Sequence, residues 1–201
     1  MFKVLSCLLF IGIFVFSGCG PSKQVTRIDS DTTVDLSGRW NDTDSRWVAE
    51  TMISDCLGHV WITNHMTQAK GAIPVVIVGG IRNKSTEHIA TQTFISDIER
   101  AFINSGKVRP VASKSERSEI REERADQSEN AAIETIKRMG REQGADYMMT
   151  GEINTIEDRE GNKQIVFYQT DLTLTNIESN EKVWIGQEKI KKFIGRKKFK
   201  M

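Results

Sequence analysis

Cys56-x2-His59-x5-His65 is the one cluster in the chain whose residue types could hold a metal ion. A structural zinc site needs four ligands with closer pairing. The three residues therefore read as helix packing and surface, and no metal site is expected. A second candidate is Gly79-Gly80-Ile-Arg-Asn-Lys84-Ser85, which follows an apolar run and precedes a helical one. Backbone N–H groups at such a helix start can bind an anion. The segment fits neither the P-loop pattern nor G-x-G-x-x-G, since Asn83 stands before Lys84. It reads first as a strand-to-helix turn, with nucleotide binding as the lesser alternative. Asp42, Asp44 and Asp55 gather early, but helix capping explains the first two better than acid–base work does. No G-x-S-x-G nucleophile elbow is present. The sequence thus assigns no catalytic residue, no cofactor-binding residue and no cofactor.

Cys19 offers different chemistry. Lys3 precedes a 14-residue apolar run from Val4 to Ser17, and the run ends Phe16-Ser17-Gly18-Cys19. One positive charge before a short apolar stretch is the plan of a secretory signal; a membrane span needs about 20 apolar residues. Small residues before the cysteine resemble the lipobox of bacterial lipoproteins, with Phe16 where that pattern prefers Leu. The resemblance implies cleavage before Cys19, diacylation of its thiol and acylation of the new N-terminus. Each buried CH₂ contributes about 0.8 kcal/mol, so three acyl chains make the anchoring effectively permanent. Gly20 follows, not the Asp that retains enterobacterial lipoproteins in the inner membrane. The implied location is the outer membrane, lipid-anchored, on the periplasmic side. Cys7 falls in the removed segment. Cys56 is then the one remaining thiol free to react; it has no internal partner and reads as a buried thiol in a helix.

The elements that must carry these residues fit one domain. The 201 residues are 38% hydrophobic and 27% charged, with 28 Lys plus Arg against 27 Asp plus Glu and a net charge of +1. Such a balance excludes a multi-span membrane protein and a disordered chain, and gives no field that would favour nucleic acid. Residues 20–36 are polar and aperiodic and read as a flexible tether of at most about 60 Å. Asn41 to Asp44 offer caps to an amphipathic helix carrying Ala49, Ile53, Cys56 and Val60, which Gly58 can break in two. Ile73 to Val78 reads as a buried strand. Ser85-Thr86-Glu87 are expected to cap the next helix, which holds Phe94, Ile98 and Phe102 and stops at Gly106. A short strand from Val108 to Ala112 follows. Residues 113–127 form a solvated helix of mixed charge, and Ser128 caps a further helix through Ala132, Ile133, Ile136 and Met139. Strands at Tyr147–Ile156, Gln164–Asn176 and Lys182–Ile190 close the chain as a meander, with Gly161-Asn162 at the first tip.

Several stretches carry a family likeness: Leu36-Ser-Gly-Arg-Trp-Asn-Asp-Thr-Asp-Ser45, Pro74-Val-Val-Ile-Val-Gly79 with Asn83, Ile98-Glu-Arg-Ala-Phe102 with Ser105-Gly-Lys-Val108, Gly144-Ala-Asp-Tyr147 with Gly151, and the Asn176 to Lys182 turn with Trp184. Together with the lipobox they resemble the LpoB-type lipoproteins, outer-membrane activators of class A penicillin-binding proteins. The same architecture occurs in the N-terminal domain of TolB and in CsgG-like secretion lipoproteins. The resemblance implies a non-enzymatic partner protein, which binds a peptidoglycan synthase and raises its activity. A CsgG-like role in envelope secretion or assembly is the alternative. Enterobacterial members carry a long Pro-rich tether, whereas residues 20–36 here hold one proline.

The expected protein is an α/β fold with a single mixed sheet of about five strands covered by helices. Its layout is signal peptide 1–18, lipidated N-terminus and tether 19–36, periplasmic domain 37–193 and basic tail 194–201. The assigned site is the lipidation residue Cys19. The expected contacts are outer-membrane lipid and a class A penicillin-binding protein, with no nucleic acid. No residue is assigned to partner binding, and the four Trp residues are the open question, since an exposed one would be an interface anchor.

Overall fold

The computed structural model describes residues 24–30, 32–137 and 142–195. The domain begins at residue 33. Asn41 and Asp44 form a reciprocal capping box at the start of α1 (Asp42–Gly58), and the chain turns at His59 into α2 (Trp61–Gln68). The apolar run becomes β1 (Val75–Asn83), followed by α3 (Thr91–Ser105), β2 (Arg109–Val111) and α4 (Lys114–Asn130). Three strands of 14 residues each then form the meander: β3 (Tyr147–Glu160), β4 (Lys163–Asn176) and β5 (Lys182–Gly195).

The sheet is single, mixed and five-stranded, in the order β2-β1-β3-β4-β5. β1 runs parallel to β2 and β3, and β3, β4 and β5 are antiparallel. One face is buried under α1 and α3. Val76, Val78, Met149, Ile153, Tyr168, Leu172, Leu174 and Trp184 of the sheet join Met52, Ile53, Phe94, Ile98 and Phe102 of the helices in one core. Burying each large apolar side chain there stabilises the fold by about 1.5–3 kcal/mol. Gly186 and Gly151 leave room on this face, since a Cβ at either would meet the Trp184 ring or the Asp171 carbonyl and Leu172.

Four expectations change. Ser85, Thr86 and Glu87 do not cap α3, whose N-cap is Ala90 without a side-chain bond. They are occupied elsewhere: Ser85 N donates to Asn83 Oδ1 at 2.9 Å, Thr86 Oγ1 to Glu157 Oε1 at 2.5 Å, and Glu87 Oε1 accepts from Tyr168 Oη at 2.7 Å. Gly79 and Gly80 lie inside β1, not in a loop before a helix, so the phosphate-loop alternative loses its geometry. Ser128 sits within α4, its Oγ donating to Ala125 O at 2.7 Å, and the chain leaves the helix at Ala131 in extended conformation. Ala132, Ile133 and Ile136 are therefore non-helical, and Met139 lies outside the described residues. Finally, β3 and β5 outrun their expected ends at Ile156 and Ile190. The two-residue tip at Gly161-Asn162 lets β3 and β4 pair without interruption from Tyr147↔Asn176 to Glu160↔Lys163, and β5 follows to Gly195.

Candidate interaction surface

Cys19 and the segment expected to be a signal peptide lie outside the described residues, as does the tail from 196. Cys56, His59 and His65 have separate structural tasks. The Cys56 thiol is buried in α1, and burial pushes it up to about 12. The Cys56 carbonyl accepts from Trp61 Nε1 at 2.8 Å and from the His59 backbone at 3.2 Å. His65 Nδ1 lies 3.1 Å from Tyr147 Oη, and its Nε2 is 3.8 Å from Asp146 Oδ2. Among the described residues, no group of three or more His, Cys, Asp or Glu side chains could hold a metal. Tyr168 is raised, first by burial and then by its bond to Glu87.

The tryptophans divide as their surroundings dictate. Trp61 and Trp184 are buried, and Trp184 Nε1 donates to Asp55 Oδ2 at 2.8 Å. Trp40 packs edge-on against Phe94 and Tyr168, with ring centroids 6.2 and 5.6 Å away. Trp47 alone is largely exposed.

The side chains that alternate with the core positions of the meander point to the opposite face, and there apolar residues meet water. Ile156 is 67% exposed, Ile185 63% and Phe193 66%. Register gathers Ile156 and Phe193 with two more: Ile156 stands opposite Phe167, and Ile165 opposite Phe193, so four apolar side chains share one patch near the β3–β4 tip, while Ile185 stands apart opposite Thr173. Residues directly opposite on one face lie about 5 Å apart at Cβ, so the patch is continuous. Charge flanks it unevenly. On the β3 side stand Asp158 and Glu160, and on the β5 side Lys189 and Lys191. Further along, Glu152 is held low by its bond to Lys84 at 2.7 Å. An apolar centre within a polar rim has the anatomy of a protein interface.

Sequence reasoning missed this patch. The signal was present in the alternation of β4: once Val166, Tyr168 and Leu172 face the core, Phe167 and Ile165 must face away. Ending β5 at Ile190 removed Phe193 from consideration.

A clamp fixes the chain leading into the domain. Lys192 Nζ donates to Asp35 Oδ1 at 2.7 Å, Asp44 Oδ2 at 2.6 Å and Arg39 O at 3.1 Å. Beside it, Gly38 adopts φ 72° with the Ile194 side chain where a Cβ would stand. Residues 35–39 are thus tied to the far end of β5, on the core side of the strand that presents Phe193 on the other.

A model of the family described as peptidoglycan-synthase activator LpoB matches residues 44–190. Among solved structures, the LpoB C-terminal domain from Salmonella enterica is 17% identical, covering 73% of this chain and 98% of that one, with a TM-score of 0.45. The NMR structure of Escherichia coli LpoB is 14% identical, covering 98% and 96%, with a TM-score of 0.41. Lipoprotein GNA1162 from Neisseria meningitidis is 11% identical, covering 60% and 83%, with a TM-score of 0.38. No curated protein matches the chain.

Proposed function

Because the chain belongs to the LpoB family of peptidoglycan-synthase activators, we propose that it binds and stimulates a class A penicillin-binding protein, using the open face of the meander as the contact surface. The observation that carries the surface is the clustering of Ile156, Ile165, Phe167 and Phe193 on one side of one sheet, with Ile156 and Phe193 largely exposed. Isolated exposed apolar residues are ordinary, but a contiguous patch on a rigid face marks an interaction site. The role is regulatory. The protein makes no bonds in the glycan; it raises the rate of another enzyme by binding its active conformation more tightly than its resting one.

We place the protein at the outer membrane, periplasmic side, anchored by acylated Cys19, with residues 1–18 removed and residues 19–36 as tether. The clamp holds the chain at Asp35, and the residues from 19 to 34 can span at most about 55 Å if fully extended. Tethering confines domain and synthase to one shell and raises their effective concentration.

The test uses the full chain purified in detergent, immobilised and incubated with solubilised envelope membranes, followed by glycan polymerisation with the purified synthase. The expected result is recovery of a class A penicillin-binding protein and faster polymerisation, both lost in an Ile156→Asp/Phe193→Asp variant of unchanged melting temperature. Recovery of secretion components without a synthase would overturn the function. Undiminished stimulation by the double variant would overturn the surface alone. A Cys19→Ala protein that still supports activity in cells would remove the anchor from the account.

A further inference from the structure

The sheet has two edges, and they differ. β2 pairs with β1 only at Val75↔Arg109, Val76↔Pro110 and Ile77↔Val111, while β1 continues to Asn83. Past Ile77 the outer edge of β1 has no strand beside it among the described residues. This edge is the floor of a groove of about 410 Å³. Ile95 and Glu99 of α3 form one wall and the first turn of α4, with Glu116, the other; Met148 lies on the side of the open face. A Cβ at Gly80 would meet nothing within 4 Å, so the groove is open above the strand.

Glu99 is the charged residue that α3 brings to the groove, and Lys114, Glu116 and Arg117 line it from α4. Glu99 has no basic partner among the described ion pairs, whereas Arg117 is turned to Ala112 O at 3.2 Å and towards Glu142. Burial and the nearby Glu116 both raise Glu99, which fits a carboxylate without a cation. The other edge, β5, alternates exposed with buried or half-buried side chains and carries exposed Lys182, Lys189 and Lys191, the kind of charges that protect edges from pairing.

We propose that the β1 edge beyond Ile77 receives an extended segment of a partner protein by strand addition, in line with β2, with a Lys or Arg of that segment reaching Glu99. Main-chain hydrogen bonds to β1 supply the affinity, and alternate side chains supply the choice of partner. On the helix side the incoming residues meet Ile95 and Glu99; on the opposite side they meet Met148. The groove is separate from the meander patch, so it can engage a different segment of the same partner or a different protein.

The probe is the peptide acetyl-Val-Lys-Val-Lys-Val-amide, with acetyl-Val-Glu-Val-Glu-Val-amide as its charge control. Both are added to the full chain in detergent, with affinity read by fluorescence anisotropy and location by hydrogen exchange. The expected result is binding of the lysine peptide with slowed exchange confined to the segment around Val78–Asn83. Binding should weaken about tenfold or more in Glu99→Lys, the size of effect a close charge pair gives, and in Gly80→Trp, which fills the groove. Protection along β5 instead of β1 would overturn the proposal. So would equal binding of the two peptides, unchanged affinity in a folded Glu99→Lys variant, or no binding of the lysine peptide at millimolar concentration.

Discussion

Replacing Lys192 with Met keeps the aliphatic stem and removes the charge, so it isolates the clamp. The consequences differ for the two carboxylates. Asp35 has a side chain 49% exposed and returns to water when released; exposed pairs of this kind contribute about 0–1 kcal/mol. Asp44 is only 10% exposed and remains in the capping box of α1, accepting from Asn41 N at 2.9 Å. It would be left as a nearly buried charge without its cation. Breaking a fully buried pair costs about 3–5 kcal/mol, and this one lies at the rim of the core, so about 2–3 kcal/mol is expected. For a domain of this size each kcal/mol moves Tm by about 2–4 °C, which gives a fall of about 4–12 °C. Calorimetry on the full chain in detergent measures it. Asp35→Asn should cost less than about 1 kcal/mol. In a double-mutant cycle, Asp44→Asn should recover part of the loss in the Met background, because it removes the stranded charge. The sign with pH follows from the shifts. Lys192 is raised by its bonds to Asp35 and Asp44 against the opposing effect of burial, so its contribution is full below 10.5 and disappears as pH climbs through its folded value. A Lys192→Met melting temperature within about 1 °C of the parent's, against an expected fall of about 4–12 °C, would refute the reasoning.

Gly186→Ala should destabilise by about 1–3 kcal/mol, since its Cβ runs into an indole that Asp55 holds in place; denaturant unfolding measures it. Gly58→Ala, at the open end of α1, should instead stabilise by about 0.4–1 kcal/mol. Alkylation of Cys56 by iodoacetamide at pH 8, followed by mass spectrometry, should be no faster than unfolding, because a thiol pushed up to about 12 is ionised in about one molecule in ten thousand. Stability should fall in acid: Asp35, Glu116, Glu142 and Glu152 are held below their ordinary values of 3.8 and 4.5 by hydrogen bonds and nearby cations, so their contribution is full above that range and is lost as pH drops through the lowered values. Glu99, raised by burial, works in the opposite sense; melting between pH 7 and 3 should therefore show a decline that steepens below about pH 4.

Local chemistry was legible in the sequence wherever one residue acts on its own neighbours. Asn41 and Asp44 announce the start of α1, Gly106 ends α3 with φ 63°, and Gly161-Asn162 turns the hairpin. The alternation of apolar and polar residues along β4 is enough by itself to mark the strand's core face. What escaped depends on distant partners. Glu87 looks like a helix cap until Tyr168 and the Trp40 backbone claim its carboxylate. Nothing near Ile190 in sequence announces that β4 will hold β5 as far as Gly195. The patch on the open face was half legible: the alternation of β4 turns Ile165 and Phe167 away from the core, but Ile156 and Phe193 become their neighbours only through register.

The bond between Trp184 and Asp55 joins residues 129 positions apart. It has a consequence for the order of assembly. Both hairpins of the meander close over a few residues and can form quickly on local contacts. The parallel pairing of Val76 with Tyr147 must close a much longer loop, and α1 cannot complete its packing until β5 has been made. The first helix of the domain therefore waits for the last strand. A chain interrupted before Trp184 would leave Met52 and its neighbours on α1 facing solvent, and the core would be finished only in its closing residues.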